Sequence, residues 1–338
     1  MMLRIAINGF GRIGRLLVRA LKEVPHPGIE IVAINDVISL ETAAFLLQHD
    51  SVHGPFSAEI QKKGDRVLSV DKKDIVFTAI AQPEALPWKE QAVDLVFECS
   101  GRFTKRTEAA RHLSAGARRV LISAPGQEAD YTVVYGVNHK GLSAQHQIVS
   151  NASCTTNCLA PVARVLHQAF GIAKGSITTV HAYTGDQKTV DTAHKDLRRA
   201  RAAGLSLIPT STGAAKAVGL VIPELAGKLD GTAIRVPTPN VSLVDGVFVL
   251  QQATTVEAVN HAFIQAAEGE LRGVLAFSDA PLVSVDFNHT SVSTTIDGLG
   301  TRVIEGTLCR VMAWYDNEWG FACRMLDVAE AWTQVTSS

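Results

Sequence analysis

The 338-residue sequence lacks any run near the roughly 18 consecutive apolar residues that a membrane-crossing helix needs. It also lacks net charge. Its 32 Lys+Arg against 33 Asp+Glu leave −1, without the basic excess of a sequence-independent nucleic-acid binder. Cysteine is scarce. The five, Cys99, Cys154, Cys158, Cys309 and Cys323, are odd in number and scattered. That argues against a disulfide framework and for a reducing compartment. Cys154 and Cys158 stand four apart, but no matching pair elsewhere would complete a metal site. There is no internal repeat, low-complexity tract or Pro/Gly linker. The apolar stretch at the N-terminus is too short for a signal peptide. These absences predict a soluble cytoplasmic protein with no membrane, nucleic-acid or metal partner.

What is present is a large apolar complement, 46% of the residues. That is enough for a sizeable core, and the length predicts two domains. Short apolar runs at 3–8, 29–35, 75–77, 95–98, 120–123 and 147–150 read as buried parallel strands. Helical spacing at 12–24 and 107–115 alternates with them, which predicts a doubly wound sheet over the first 150 residues or so. Beyond a helix from Cys154 to about residue 170 the pattern changes. Runs at 175–182, 232–237, 242–251, 282–286 and 307–315 are β-branched and aromatic, and predict a mostly antiparallel sheet. Residues 256–272 and 322–333 read as helices. The fold class is therefore α/β followed by α+β. The boundary near residue 152 is a change of architecture.

Gly9-Phe10-Gly11-Arg12-Ile13-Gly14 is G-x-G-x-x-G, with a strand before it, a helix after it and Asp36 22 residues beyond Gly14. Gly9 permits the tight turn, Gly11 lets the backbone approach a pyrophosphate, and Gly14 lets helix and strand pack closely. The pyrophosphate would lie at the helix N-terminus. Asp36 would accept from the adenosine ribose hydroxyls and oppose a 2′-phosphate, and no basic residue adjoins it. This favours NAD, with NADP as a poorer alternative.

Ser153-Cys154-Thr155-Thr156-Asn157-Cys158 places a thiol at the start of a helix, downstream of that fingerprint. A thiol beside a nicotinamide suggests capture and oxidation of an aldehyde on sulfur. Cysteine reacts near neutral pH when a helix N-terminus or a neighbouring histidine favours the thiolate. His181, at the end of a predicted strand, is the candidate base. Ser211-Thr212-Gly213 leads into a helix and suits an oxyanion. Arg235, within a strand, could clamp a phosphate bidentately. A buried thiol, a structural histidine, a helix cap and a salt bridge are the competing readings of these four features. The basic cluster Lys195, Arg198, Arg199 and Arg201 reads as a solvated face, a loop over the site or a subunit contact.

Together, the stretches 8–15, 150–158, 211–218, 235–240 and 314–319 resemble the phosphorylating glyceraldehyde-3-phosphate dehydrogenase family, and the likeness runs nearly end to end. The resemblance implies Cys154 as nucleophile and His181 as base. It implies an inorganic phosphate site at Ser153, Thr155, Thr212 and Gly213, and a substrate phosphate site at Thr184 and Arg235. Asn317 would hold the nicotinamide carboxamide, and the cofactor set also takes in Ser123. It further implies residues 1–152 as the NAD-binding domain, completed by a C-terminal helix over about 317–338, and 153–316 as the catalytic domain. A homotetramer acting on a phosphorylated aldehyde and inorganic phosphate follows from the same likeness. Phe321 departs from the tyrosine many members carry. Thr192-Ala193 departs from the pairs usual in strict NAD users and in photosynthetic NADP users. Stretches 86–88, 132–136 and 281–289 resemble the sister family, erythrose-4-phosphate dehydrogenase. The intact Ser211-Thr212-Gly213-Ala214 and His181-Ala182-Tyr183-Thr184 favour the triose reading. A non-catalytic groove binder and a non-phosphorylating aldehyde dehydrogenase are the remaining alternatives.

Overall fold

The computed structural model describes residues 2–24 and 26–337. The chain divides into two units: one comprises the residues up to Val133, His139–Ser153 and the chain from Ala322; the other comprises Val134–Asn138 and Cys154–Phe321.

The first unit holds β1 (Leu3–Asn8), α1 (Arg12–Glu23), β2 (Ile29–Asn35), α2 (Leu40–Gln48), β3 (Ile60–Lys63), β4 (Val67–Val70), β5 (Lys73–Thr78), β6 (Leu95–Glu98), α3 (Arg106–Ser114), β7 (Arg119–Ile122), β8 (Tyr131–Thr132) and β9 (Ile148–Ser150). The sheet order is β3-β4-β5-β2-β1-β6-β7-β9-β8. The run β5-β2-β1-β6-β7-β9 is parallel throughout and has the doubly wound order 3-2-1-4-5-6. Its strands are apolar on both faces because helices cover both. Ile5, Ile7, Val96, Phe97, Val120 and Leu121 are fully buried. The antiparallel hairpin β3–β4 was not legible as strand, because Ile60–Lys63 is polar and mostly exposed at the sheet edge.

The second unit holds α4 (Cys154–Phe170), β10 (Ile172–Ala182), β11 (Ile208–Ser211), α5 (Ala214–Val221), β12 (Leu229–Val236), β13 (Ser242–Leu250), α6 (Val256–Glu268), β14 (Leu275–Ser278), β15 (Thr294–Ile304) and β16 (Leu308–Tyr315). Its sheet runs β11-β12-β10-β13-β16-β15-β14. Four of its ladders are antiparallel, and β10–β12 and β14–β15 are parallel. The sheet is therefore mixed, with antiparallel pairing in the majority. The last helix, α7 (Trp319–Ser337), begins in this unit and from Ala322 belongs to the first. There Trp332 donates to the Ser143 carbonyl at 3.1 Å and lies under the Arg119 guanidinium.

The strand expected at 282–286 is not one. Ser284–Phe287 is a 3-10 turn, with Val283 and Val285 exposed and only Phe287 buried. Pro281 lacks the N–H a ladder needs, and the Asp286 carboxylate takes the Val283 N–H at 2.8 Å. The helix expected to reach 272 stops at Glu268, ahead of Gly269. Among the described residues no helix is long and apolar enough to cross a membrane.

Candidate active site

The glycine loop is built around close backbone approach. Gly9 has φ +95°, and a Cβ there would stand 2.4 Å from the Ser100 nitrogen. A Cβ at Gly14 would stand 2.2 Å from the Gly9 carbonyl oxygen, whereas one at Gly11 would meet nothing within 4 Å. The first and third glycines thus let the chain fold on itself, and the second leaves room for a ligand. No side chain caps α1, so its first N–H groups are available to an anion. A cavity of about 200 Å³ opens at the C-terminal ends of these strands, lined by Gly9, Gly11, Asp36, Cys99 and Ser100 among others.

Asp36 follows β2 as expected and already has work within the loop. Its Oδ2 accepts from the Phe10 N–H at 2.6 Å and its Oδ1 from the Ile38 N–H at 3.2 Å. A carboxylate has about four acceptor positions, which leaves capacity for a ribose. Arg12 pairs with Asp50 at 2.5 and 3.1 Å, so an anion at the loop would meet its backbone before its guanidinium. Phe10 is fully buried. The Ser123 N–H donates to the Glu98 carbonyl, and its side chain hydrogen-bonds Cys99.

In the second unit Cys154 opens α4, directly after Ala152 at φ +55° and Ser153. A left-handed alanine marks the sharp strand-to-helix turn that presents Cys154 at the helix start. His181 lies near the end of β10, paired in register with Arg235 on β12. The Cys154 Sγ stands 3.5 Å from His181 Nε2. On the other side of the ring, Arg235 Nη1 lies 2.8 Å from His181 Nδ1 and donates to the Ala182 carbonyl at 2.8 Å. The His181 ring packs edge-on to Tyr315.

The electrostatics depart from the simple expectation of a lowered thiol. Burial pushes Cys154 up, opposed by the positive charge of Arg235 and by hydrogen bonds from Thr155. Burial first and Arg235 second push His181 down to about 3. Burial thus disfavours the charged form of both groups. The Arg235 charge favours a thiolate and disfavours an imidazolium.

The remaining expected residues fall in four places. Thr212 Oγ1 accepts from the Ala214 N–H at 3.2 Å, and Gly213 is exposed with open space around it. Thr184 donates through both its N–H and its hydroxyl to Gln187 Oε1. The Thr155 hydroxyl is buried and bonded to the Tyr315 hydroxyl at 2.9 Å, so its side chain serves the interior. Asn317 Oδ1 accepts from Ser242 Oγ at 2.7 Å, and Ser242 in turn accepts from the Ala182 N–H at 3.0 Å. This fixes the Asn317 carboxamide with its N–H₂ free to face a partner.

Two residues were not singled out from sequence, and a third was read only as part of a basic cluster. Ser242 orients Asn317. Tyr315 bridges Thr155 and Thr179. Arg199, from the basic cluster, bonds Asp186 at 2.7 Å and Thr210 at 2.9 Å, and its charge reaches His181. Serine and tyrosine in strands carry no signal of their own. Arg199 stood in a cluster read as a solvated face, a loop over the site or a subunit contact, and only its bonds to Asp186 and Thr210 single it out.

Comparison with known proteins agrees with this geometry. Residues 3–106 match the family model described as glyceraldehyde 3-phosphate dehydrogenase, NAD binding domain, and residues 153–317 match that of its C-terminal domain. The chain is 60% identical over 331 residues to glyceraldehyde-3-phosphate dehydrogenase of Xanthobacter flavus, covering 98% of each. It is 59% identical over 331 residues to that of Cereibacter sphaeroides, again covering 98% of each. It is 56% identical over 330 residues to that of Geobacillus stearothermophilus, covering 97% of this chain and 98% of the relative. With a glycine loop shaped for a dinucleotide and a Cys–His pair beside a half-buried arginine, the chain belongs to the glyceraldehyde 3-phosphate dehydrogenase family.

Proposed function

We propose that the chain oxidises D-glyceraldehyde 3-phosphate to 1,3-bisphosphoglycerate through a thioester on Cys154. It is an NAD-dependent oxidoreductase by family, and the triose is the aldehyde its relatives are named for. The single observation that carries the chemical reading is the Cys154 Sγ–His181 Nε2 approach of 3.5 Å with Arg235 behind the ring.

In this reading His181 Nε2 takes the Cys154 proton, and the thiolate adds to the aldehyde carbon. The imidazolium gives its proton to the new alkoxide, forming a hemithioacetal, and takes it back as the carbon is oxidised. NAD, when bound, supplies the hydride acceptor. The Asn317 N–H₂, oriented by Ser242, holds the nicotinamide carboxamide. Inorganic phosphate then attacks the thioester carbonyl and the Cys154 thiolate leaves. Arg235 and Thr184 hold the substrate phosphate. Ser153, Thr212 and Gly213 form the inorganic phosphate site, where the open Gly213 turn at the start of α5 gives the best support, and Thr155, whose hydroxyl bonds Tyr315, supports it from the interior. A phosphate dianion on Arg235 would offset the positive charge that disfavours a protonated His181. Substrate binding and base strength are thereby linked.

The first unit is assigned to the cofactor and the second to the thiol chemistry. A cytoplasmic homotetramer fits the exposed Leu197, Leu205 and Leu207, which lie 69–87% exposed and would be covered by a neighbouring subunit. NADP is the poorer cofactor, opposed by Asp36. The tetrose reading gains no observation here. Initial rates with NAD, comparing glyceraldehyde 3-phosphate and erythrose 4-phosphate with and without inorganic phosphate, test the assignment. A phosphate-dependent preference for the triose is expected. A phosphate-indifferent preference for the tetrose would overturn it.

A further inference from the structure

Glu98, the last residue of β6, is 1% exposed, and its one ion-pair contact among the described residues is His112, a cation only if protonated. Its Oε2 accepts from Asn8 Nδ2 at 2.6 Å and contacts His112 Nε2 at 2.8 Å, and its Oε1 accepts from the Ser100 N–H at 2.8 Å and from the Ser100 hydroxyl.

The protons of this network can be placed, because each end starts from an obligate donor. At one end the Trp88 indole N–H, which can only donate, lies 3.0 Å from His112 Nδ1. Nδ1 therefore accepts, the single proton of a neutral imidazole sits on Nε2, and that proton points at Glu98. At the other end the Ile80 backbone N–H donates to Asn35 Oδ1 at 2.9 Å. That fixes the Asn35 amide, whose Nδ2 donates to Asn8 Oδ1 at 2.8 Å. The Asn8 Nδ2 then has only Glu98 to serve. Every chain of donors ends on Glu98, and none of its partners needs a proton from it. Hydrogen bonding therefore offers the Glu98 carboxyl donors alone, from an amide, a hydroxyl, a backbone N–H and the His112 ring.

A buried charge without a counter-ion is expensive unless something benefits from it. Its neighbours Asn8, Asn35, Cys99 and Ser100 line the dinucleotide cavity. In this topology a dinucleotide crosses the sheet between β1 and β6, with its adenosine toward Asp36 on the β2 side. The nicotinamide half then falls on the β6 side, where Glu98 ends its strand.

We propose that Glu98 is a cation-free carboxylate that biases the cofactor pocket toward the oxidised, positively charged nicotinamide and away from the reduced, neutral one. The proposal rests on the NAD reading of the pocket. Its repulsion of the pyrophosphate acts equally on both forms, so only the ring charge distinguishes them. The device tunes which cofactor form stays bound and touches no reacting atom.

The test is the pair of dissociation constants for NAD and NADH, measured by calorimetry on the full-length protein. Glu98→Gln should lower the ratio Kd(NADH)/Kd(NAD) by about three- to tenfold, the size expected for one partly screened charge. Glu98→Asp keeps the charge and should leave the ratio within about twofold of wild type even where both constants loosen. His112→Lys, which leaves Glu98 in place and sets a cation beside it, should lower the ratio as Glu98→Gln does, and stands in if the glutamine variant fails to fold. An unchanged ratio in the variants that lose or neutralise the charge would overturn the proposal, as would parallel weakening of both constants. A wild-type chain that bound neither dinucleotide would overturn the cofactor reading and the proposal with it.

Discussion

The cofactor pocket and the thiol site are built on opposite principles. The pocket is made of backbone: Gly9 and Gly14 bring strands and helix within contact, Gly11 leaves space, and α1 offers uncapped N–H groups. The protons in the network beneath it are fixed by an indole and a backbone N–H. The thiol site is made of side chains whose charges depend on one another. Cys154 is raised, His181 is lowered, and Arg235 acts on both with opposite sign. The first site is formed before its ligand arrives. In the proposed reaction the second would have its charge state completed by the substrate phosphate. A backbone-built pocket should therefore answer to steric change, and the thiol site to changes of charge.

The largest effect expected is at Cys154. Cys154→Ser should reduce turnover by at least about a thousandfold while leaving NAD affinity within about twofold. Steady-state rates and calorimetry on one preparation check both halves. Comparable loss of NAD binding would break the separation of the two sites.

Next comes acid stability, to which the thiol site contributes through His181. His181 is held at about 3 in the folded chain and relaxes to about 6.5 on unfolding. Between those values the unfolded chain binds the extra proton, so stability falls as pH drops. The contribution is fully present above about pH 6.5 and lost toward pH 3, up to about 4 kcal/mol. Urea midpoints between pH 7 and 4 should show a shallower slope for His181→Gln. An unchanged slope would remove His181 as the cause.

Gly9→Ala should destabilise by about 2–4 kcal/mol, since it adds a Cβ on Ser100 at a positive φ. It should also weaken NAD binding while leaving alkylation of Cys154 by iodoacetamide unchanged. A melting temperature equal to wild type would show that the loop can relax. The smallest effect sharpens the cofactor half. Asp36→Ala loses both a ribose acceptor and the Phe10 N–H bond, and should weaken NAD by about tenfold and NADP by less. Equal weakening of both would assign Asp36 to loop support alone.

The same contrast explains what the sequence revealed. The β1-loop-α1 unit was legible because glycine spacing, an apolar strand and amphipathic spacing all report backbone geometry. Cys154 and His181 were legible as residue types in suggestive places, and the family likeness supplied their partnership. Their charge states were not legible, because these depend on Arg235, 54 residues from His181 in sequence. Glu98 looked like the end of an apolar strand, and its meaning depends on Asn8, Trp88 and His112, scattered along the chain. In the second unit β15 was missed because Gly298 and Gly300 interrupt its pattern and its pairing slips between Asp297 and Arg302. Gly298 is required there, since a Cβ would press on the Phe277 ring at 2.4 Å. At 282–286 the error ran the other way, and alternating valines imitated a strand in a segment that Pro281 and Asp286 turn aside.

The most direct test of the account is to mix the protein with NAD and glyceraldehyde 3-phosphate without inorganic phosphate, quench in acid, and weigh the peptide carrying Cys154. The account predicts a phosphoglyceroyl thioester on Cys154 that disappears when phosphate is added before the quench. Reduced cofactor formed at full rate with Cys154 never acylated would contradict it.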